Sequence, residues 1–88
     1  MQIVVYGAGG NGRLFYQAMQ KANIDILYFI DQYTLATEYE GIPIKRIEEV
    51  EDRSLPVFVS VAGSNTLIAN ELREIGFSEV YDFLIKVW

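Results

Sequence analysis

The 88-residue sequence contains no cysteine, no histidine and only two prolines. Without cysteine there is no disulfide frame and no thiolate nucleophile, and redox chemistry says nothing about compartment. Without histidine the chain lacks the commonest zinc ligand, the Ser-His dyad and the usual general base. Basic residues are also few: 7 Lys+Arg face 12 Asp+Glu, giving a net charge of −5 and a pI near 4.5. That balance argues against nucleic acid or an anionic membrane surface as a partner. No apolar run approaches the roughly 18 residues of a membrane span. Met1 leads directly into Gln2-Ile3-Val4-Val5, without the basic start of a signal peptide. The expectation is a cytoplasmic protein with no membrane partner.

What remains is the composition of a folded globule: 51% hydrophobic, 14% aromatic and 22% charged, which excludes disorder. A chain of this length forms one domain, residues 1–88, and buries roughly 60–70% of its unfolded surface. Ile3-Val4-Val5-Tyr6 is a short β-branched run ending at glycines, the pattern of a strand buried on both faces. Leu14, Phe15, Ala18, Met19 and Ala22 then fall on one helical stripe, with Arg13, Gln17, Gln20 and Lys21 on the wet side. Ile26–Ile30 is a second strand, so the first third reads as a βαβ unit. Residues 33–40 carry little pattern and are expected to form a loop. Gly41-Ile42-Pro43-Ile44 reads as an extended piece that Pro43 places at a sheet edge. A brief acidic helix over 47–51 and a strong strand over 55–61 follow. Ser64 is a candidate N-cap for a helix burying Ile68, Leu72 and Ile75. Gly76 suits the left-handed position after that helix, with Phe77 folding back onto it. Residues 79–82 read as a last strand.

Alternating strands and helices imply a parallel sheet of four to five strands with helices on both faces. With Ile3–Tyr6 central, Ile26–Ile30 on one side and Val57–Val61 on the other, strand order reverses beside the first strand. Ligands in such sheets bind outside the carboxyl ends of the strands at that switch point.

The segment Gly7-Ala8-Gly9-Gly10-Asn11-Gly12 satisfies G-x-G-x-x-G at Gly7, Gly9 and Gly12. Gly7 permits the tight turn off the strand, Gly9 lets backbone approach a pyrophosphate, and Gly12 lets the helix pack closely on the strand. The first helical N–H groups then face the phosphates. Asp31 ends the next strand, about 20–25 residues on, where a ribose-binding carboxylate belongs. The fold expectation is thus a small Rossmann-like three-layer sandwich. Asp31 would repel a 2′-phosphate, which disfavours NADP. Gln32 beside it and Arg13 just past the loop join the candidate ligand contacts. So do Ala62, Gly63 and Ser64, which end the strand across the switch point. Each admits a plainer reading: a packing turn for the glycines, a turn-starting carboxylate for Asp31, a surface arginine, a simple N-cap for Ser64. Tyr33 is a weaker candidate for stacking a base.

Other chemistry is missing. Gly7 and Gly12 have P-loop spacing, but Arg13-Leu14 follow where Lys and Ser/Thr are required, so an NTPase is disfavoured. Tyr16 and Lys21, like Tyr81 and Lys86, stand five apart and do not make Tyr-x-x-x-Lys. No catalytic constellation is visible. Glu48, Glu49, Glu51 and Asp52 read as a solvated face, and no metal is expected. The apolar run Phe83–Trp88 needs a partner: this domain itself, a second copy in a homo-oligomer, or a catalytic module.

The stretches Val4–Arg13, Tyr28–Gln32, Gly41–Ile44, Val57–Ala62 and Gly76–Phe83 together resemble a known domain. It is the Rossmann-like N-terminal nucleotide-binding domain of bacterial sugar O-acyltransferases, FkbM-type methyltransferases and related polysaccharide-biosynthesis enzymes. In the acyltransferases this domain holds the nucleotide sugar while a separate left-handed β-helix binds the acyl donor. The resemblance implies Gly7, Gly9 and Gly12 at the phosphates and Asp31 near the nucleoside. The chain departs from that pattern at Gln32, where a second acidic residue is common, and in lacking a catalytic module. Three functions therefore compete: a nucleotide-binding module with a nucleotide sugar as leading ligand, an NAD(H)-binding redox-sensing domain, and a degenerate scaffold for protein contact.

Overall fold

The computed structural model describes residues 2–60 and 65–81. It is an α/β fold with a six-stranded, mostly parallel sheet and two α-helices. The strands are β1 (Gln2–Tyr6), β2 (Asp25–Ile30), β3 (Glu38–Tyr39), β4 (Ile42–Lys45), β5 (Val57–Val59) and β6 (Val80–Tyr81). Helix α1 spans Gly10–Lys21 and α2 spans Asn65–Glu74, with a 3₁₀ turn at Ile47–Glu49. The sheet order is β3-β4-β2-β1-β5-β6, with only β3 antiparallel to its neighbour. The reversal of strand order therefore falls between β1 and β5.

Alternation along β1 sorts the core into two layers. Ile3 and Val5 pack with Phe15 of α1, Ile26 and Phe29. Val4 packs on the other face with Val57, Val59, and Ala69 and Leu72 of α2. Strand β2 holds this alternation despite an extra residue: Ile3 pairs with Ile26, but Val4 pairs with Tyr28, leaving Leu27 bulged. The bulge explains how Ile26 and Phe29, three residues apart, reach the same layer. Leu27 itself is 40% exposed.

Several expectations need correction. The sheet has six strands rather than four to five, because Glu38–Tyr39, expected as loop, pairs with Ile42 and Pro43. Pro43 consequently lies one strand in from the edge, where it faces Glu38 in a two-residue ladder and only Ile44 and Lys45 pair with β2. The strand expected over 55–61 is described as Val57–Val59, and the acidic helix is a single 3₁₀ turn. Ile75 is 41% exposed, whereas Ala69 of α2 is fully buried. The proposed cap Ser64 and the apolar run Phe83–Trp88 lie outside the described residues.

The end of α2 follows the sequence reading. Gly76 has φ +106°, Phe77 N–H donates to Leu72 O at 3.1 Å, and Gly76 N–H donates to Arg73 O at 3.1 Å. These are the paired bonds of a Schellman motif, and Phe77 is buried. Gly76→Ala should lower stability by about 1 kcal/mol, the cost of a Cβ at positive φ. A urea midpoint equal to that of the wild type would contradict this.

Candidate functional site

The glycine loop leaves the carboxyl end of β1, next to the strand-order reversal. Gly7 has φ +108°, a conformation that an L side chain rarely adopts. Its N–H donates to Ile30 O at 2.7 Å, which ties the start of the loop to the end of β2. Gly12 packs against that same residue: a Cβ on Gly12 would lie 2.1 Å from the Gly7 carbonyl oxygen. Among the described residues nothing lies within 4 Å of a Cβ built on Gly9. The two glycines thus separate into a packing position and an approach position.

Gly9 is the N-cap of α1 and offers no side-chain bond to it, and the first turn carries no acidic residue. Arg13 N–H donates to Gly9 O at 3.0 Å, the i→i−4 bond that opens the helix. The initial N–H groups of a helix point along its axis and carry its positive end. Gly10 begins the helix and Asn11 follows in its first turn. This end can accept an anion.

Asp31 is half-buried and committed to the fold. Its Oδ2 accepts the Ala8 N–H of the loop at 2.9 Å, and its Oδ1 accepts the N–H groups of Tyr33 at 2.8 Å and Thr34 at 2.9 Å. Burial alone would push its carboxyl up, but the Ala8, Thr34 and Tyr33 donors and the nearby Arg46 charge outweigh it. The pKa is held below the ordinary carboxylate value. Arg46 also donates to the carbonyls of Asp31 and Thr34. Gln32 caps the 3₁₀ turn: its Oε1 accepts the Ile47 N–H at 2.7 Å, and its Nε2 donates to Glu48 at 3.0 Å.

Arg13 is exposed, and its guanidinium stands over the Tyr39 ring, 4.9 Å from the centroid. Tyr33 is 91% exposed. Ala62, Gly63 and Ser64 lie outside the described residues. The structure therefore bonds Ala8 to Asp31 and packs Gly12 on Gly7, with Gly9 between Ala8 and Gly12 in the loop assembly and Gln32 and Arg13 facing other neighbours.

Two members of that assembly escaped the sequence reading. Ser60, 2% exposed, donates through Oγ toward Tyr6 O at 3.0 Å and Gly7 O at 3.2 Å. The only signal for it is a hydroxyl closing an apolar strand. Arg46 is the other, and a basic residue after β4 carries no signal of the bonds it makes 12 and 15 residues back. Tyr6 ends β1, and its phenol is pushed above its ordinary value by burial first, then by Tyr33, Asp31, Glu71 and Glu48. It stays neutral near pH 7.

Among the described residues no group of three His, Cys, Asp or Glu could hold a metal ion, and no helix is long and apolar enough to cross a membrane. No protein-family model matches this chain, and no curated protein matches it.

Proposed function

We propose that Gly7–Gly12 is a phosphate-binding loop and that the chain is a Rossmann-like nucleotide-binding module, with a nucleotide sugar as its ligand. The observation that carries this reading is the pairing of Gly12 with Gly9. The first is filled by backbone; the second is left open by the described residues at an uncapped helix start beside the switch between β1 and β5. NAD(H) is the second choice. Recognition of its adenosine ribose would fall to Asp31, whose carboxylate already accepts three N–H bonds and keeps about one of its four acceptor positions. With neither a catalytic nucleophile nor an acid–base pair at the loop among the described residues, turnover would come from another module of a sugar-modifying or surface-polysaccharide enzyme.

Calorimetric titration of the chain with UDP-GlcNAc, UDP, NADH and NADP tests this. Saturable binding of the UDP ligands is expected, weakened about tenfold in Gly9→Ala, which places a methyl group where phosphate approaches while leaving the urea midpoint unchanged. Preference for NADH would shift the reading to the redox-sensing alternative. No binding across the panel by folded protein would overturn both.

A further inference from the structure

We infer that a groove between the Gln32–Tyr33 turn and α2 binds an organic ammonium ion carried on an apolar body. The groove has a volume of about 440 Å³, within the range of small-ligand pockets. It opens beside the carboxyl end of β1, on the face of the sheet that α2 covers, and among the described residues Gly7, Ala8, Gly9 and Gly12 take no part in its lining. Among the described residues, the 3₁₀ turn and α2 are the helical elements beside it.

The lining has a distinct chemistry. Ile47, Ile68 and Leu72 supply apolar surface, and Tyr6 and Tyr33 supply aromatic rings. Glu71 and Glu74 supply two carboxylates, and among the described residues no lysine or arginine lines the space. Among the described residues neither glutamate makes a side-chain hydrogen bond or an ion pair. Glu48 adds negative charge next to Gln32, from which it accepts a bond at 3.0 Å. A cation entering here meets two carboxylates at once, beside the apolar surface that its body would cover. Ring faces add a further attraction for ammonium. The same charges repel phosphate, so this ligand is distinct from the one proposed at the glycine loop. A neutral molecule of the same shape would gain only the apolar contacts.

The test is an NMR titration of the intact chain with phenethylamine, and with 2-phenylethanol as its neutral counterpart. Phenethylamine is expected to bind at least tenfold more tightly and to shift amide signals of Gln32, Tyr33 and residues 68–75 while leaving Gly7–Gly12 unmoved. Glu71→Gln combined with Glu74→Gln, both on exposed positions of α2, should abolish the tenfold preference and keep the fold. Equal affinity for the two compounds, no binding of the amine, shifts centred elsewhere, or a preference that survives the double substitution would each overturn the proposal. The result is independent of nucleotide binding, which is read at the other site.

Discussion

Gly12→Ala is expected to cost about 3 kcal/mol or more, at the upper end of what overpacking a well-packed site costs. The added methyl carbon would stand 2.1 Å from the Gly7 carbonyl oxygen and 3.0 Å from its carbon. Relief would require moving backbone, and that backbone is held from several sides. Gly7 donates to Ile30 O at 2.7 Å, its carbonyl faces the Ser60 hydroxyl at 3.2 Å, and Ser60 N–H donates to Tyr6 O at 2.9 Å. Gly9→Ala is the control, because among the described residues nothing lies within 4 Å of its Cβ and its φ of −81° suits any residue. Urea unfolding of the two variants should give a large drop in midpoint for the first and almost none for the second. Equal midpoints would show that the α1–β1 approach does not depend on Gly12.

Asp31→Ala should lower stability by about 2–3 kcal/mol at pH 7, since it leaves the N–H groups of Ala8, Tyr33 and Thr34 without their acceptor. The effect is pH-dependent, with a definite sign. Burial opposes the charge, but the three N–H donors and Arg46 win, so the folded-state pKa lies below the unfolded one. The stabilisation is complete above the unfolded-state value of about 4 and is lost as pH falls through the lower folded-state value. Asp31→Asn keeps one acceptor oxygen and has no such titration. The gap in urea midpoint between wild type and Asp31→Asn should therefore narrow as pH is lowered from 7 toward 3. A gap that stays constant would mean that the carboxylate charge adds nothing beyond hydrogen-bonding shape. Ligand affinity in Asp31→Ala should fall as well, because the Ala8 peptide loses the bond that anchors it.

The central strands were legible from sequence because they are short, β-branched and closed by glycine, and a parallel strand buried on both faces has little other pattern. The Schellman end of α2 was equally readable, since Gly76 and Phe77 serve it through backbone and burial alone. Strand β3 was not readable: Glu38 and Tyr39 have no alternation to show in two residues, and their pairing depends on the turn at Gly41, φ +78°. Ile75 fits the apolar spacing of α2, yet α2 ends at Glu74 and Ile75 belongs to its cap, turned partly outward. At the site, the G-x-G-x-x-G spacing located the packing glycine, because its cause is local. The partners of Asp31 were invisible for the opposite reason. A carboxylate at the end of β2 looks the same whether it faces a ribose or the backbone of Ala8, and only tertiary placement distinguishes the two.

The bulge in β2 has a consequence for how this chain should be aligned with others. All of the inward-facing information of the β1–β2 pair resides in Ile3, Val4, Val5 and Tyr6 and in their partners Ile26, Tyr28, Phe29 and Ile30. Leu27 has no partner in that register. A homologous chain one residue shorter at this point would keep every one of these side chains in its layer, with a regular pleat in place of the bulge. A gap opposite Leu27 is therefore structurally silent. A gap placed one residue to either side would report a disrupted core where none exists.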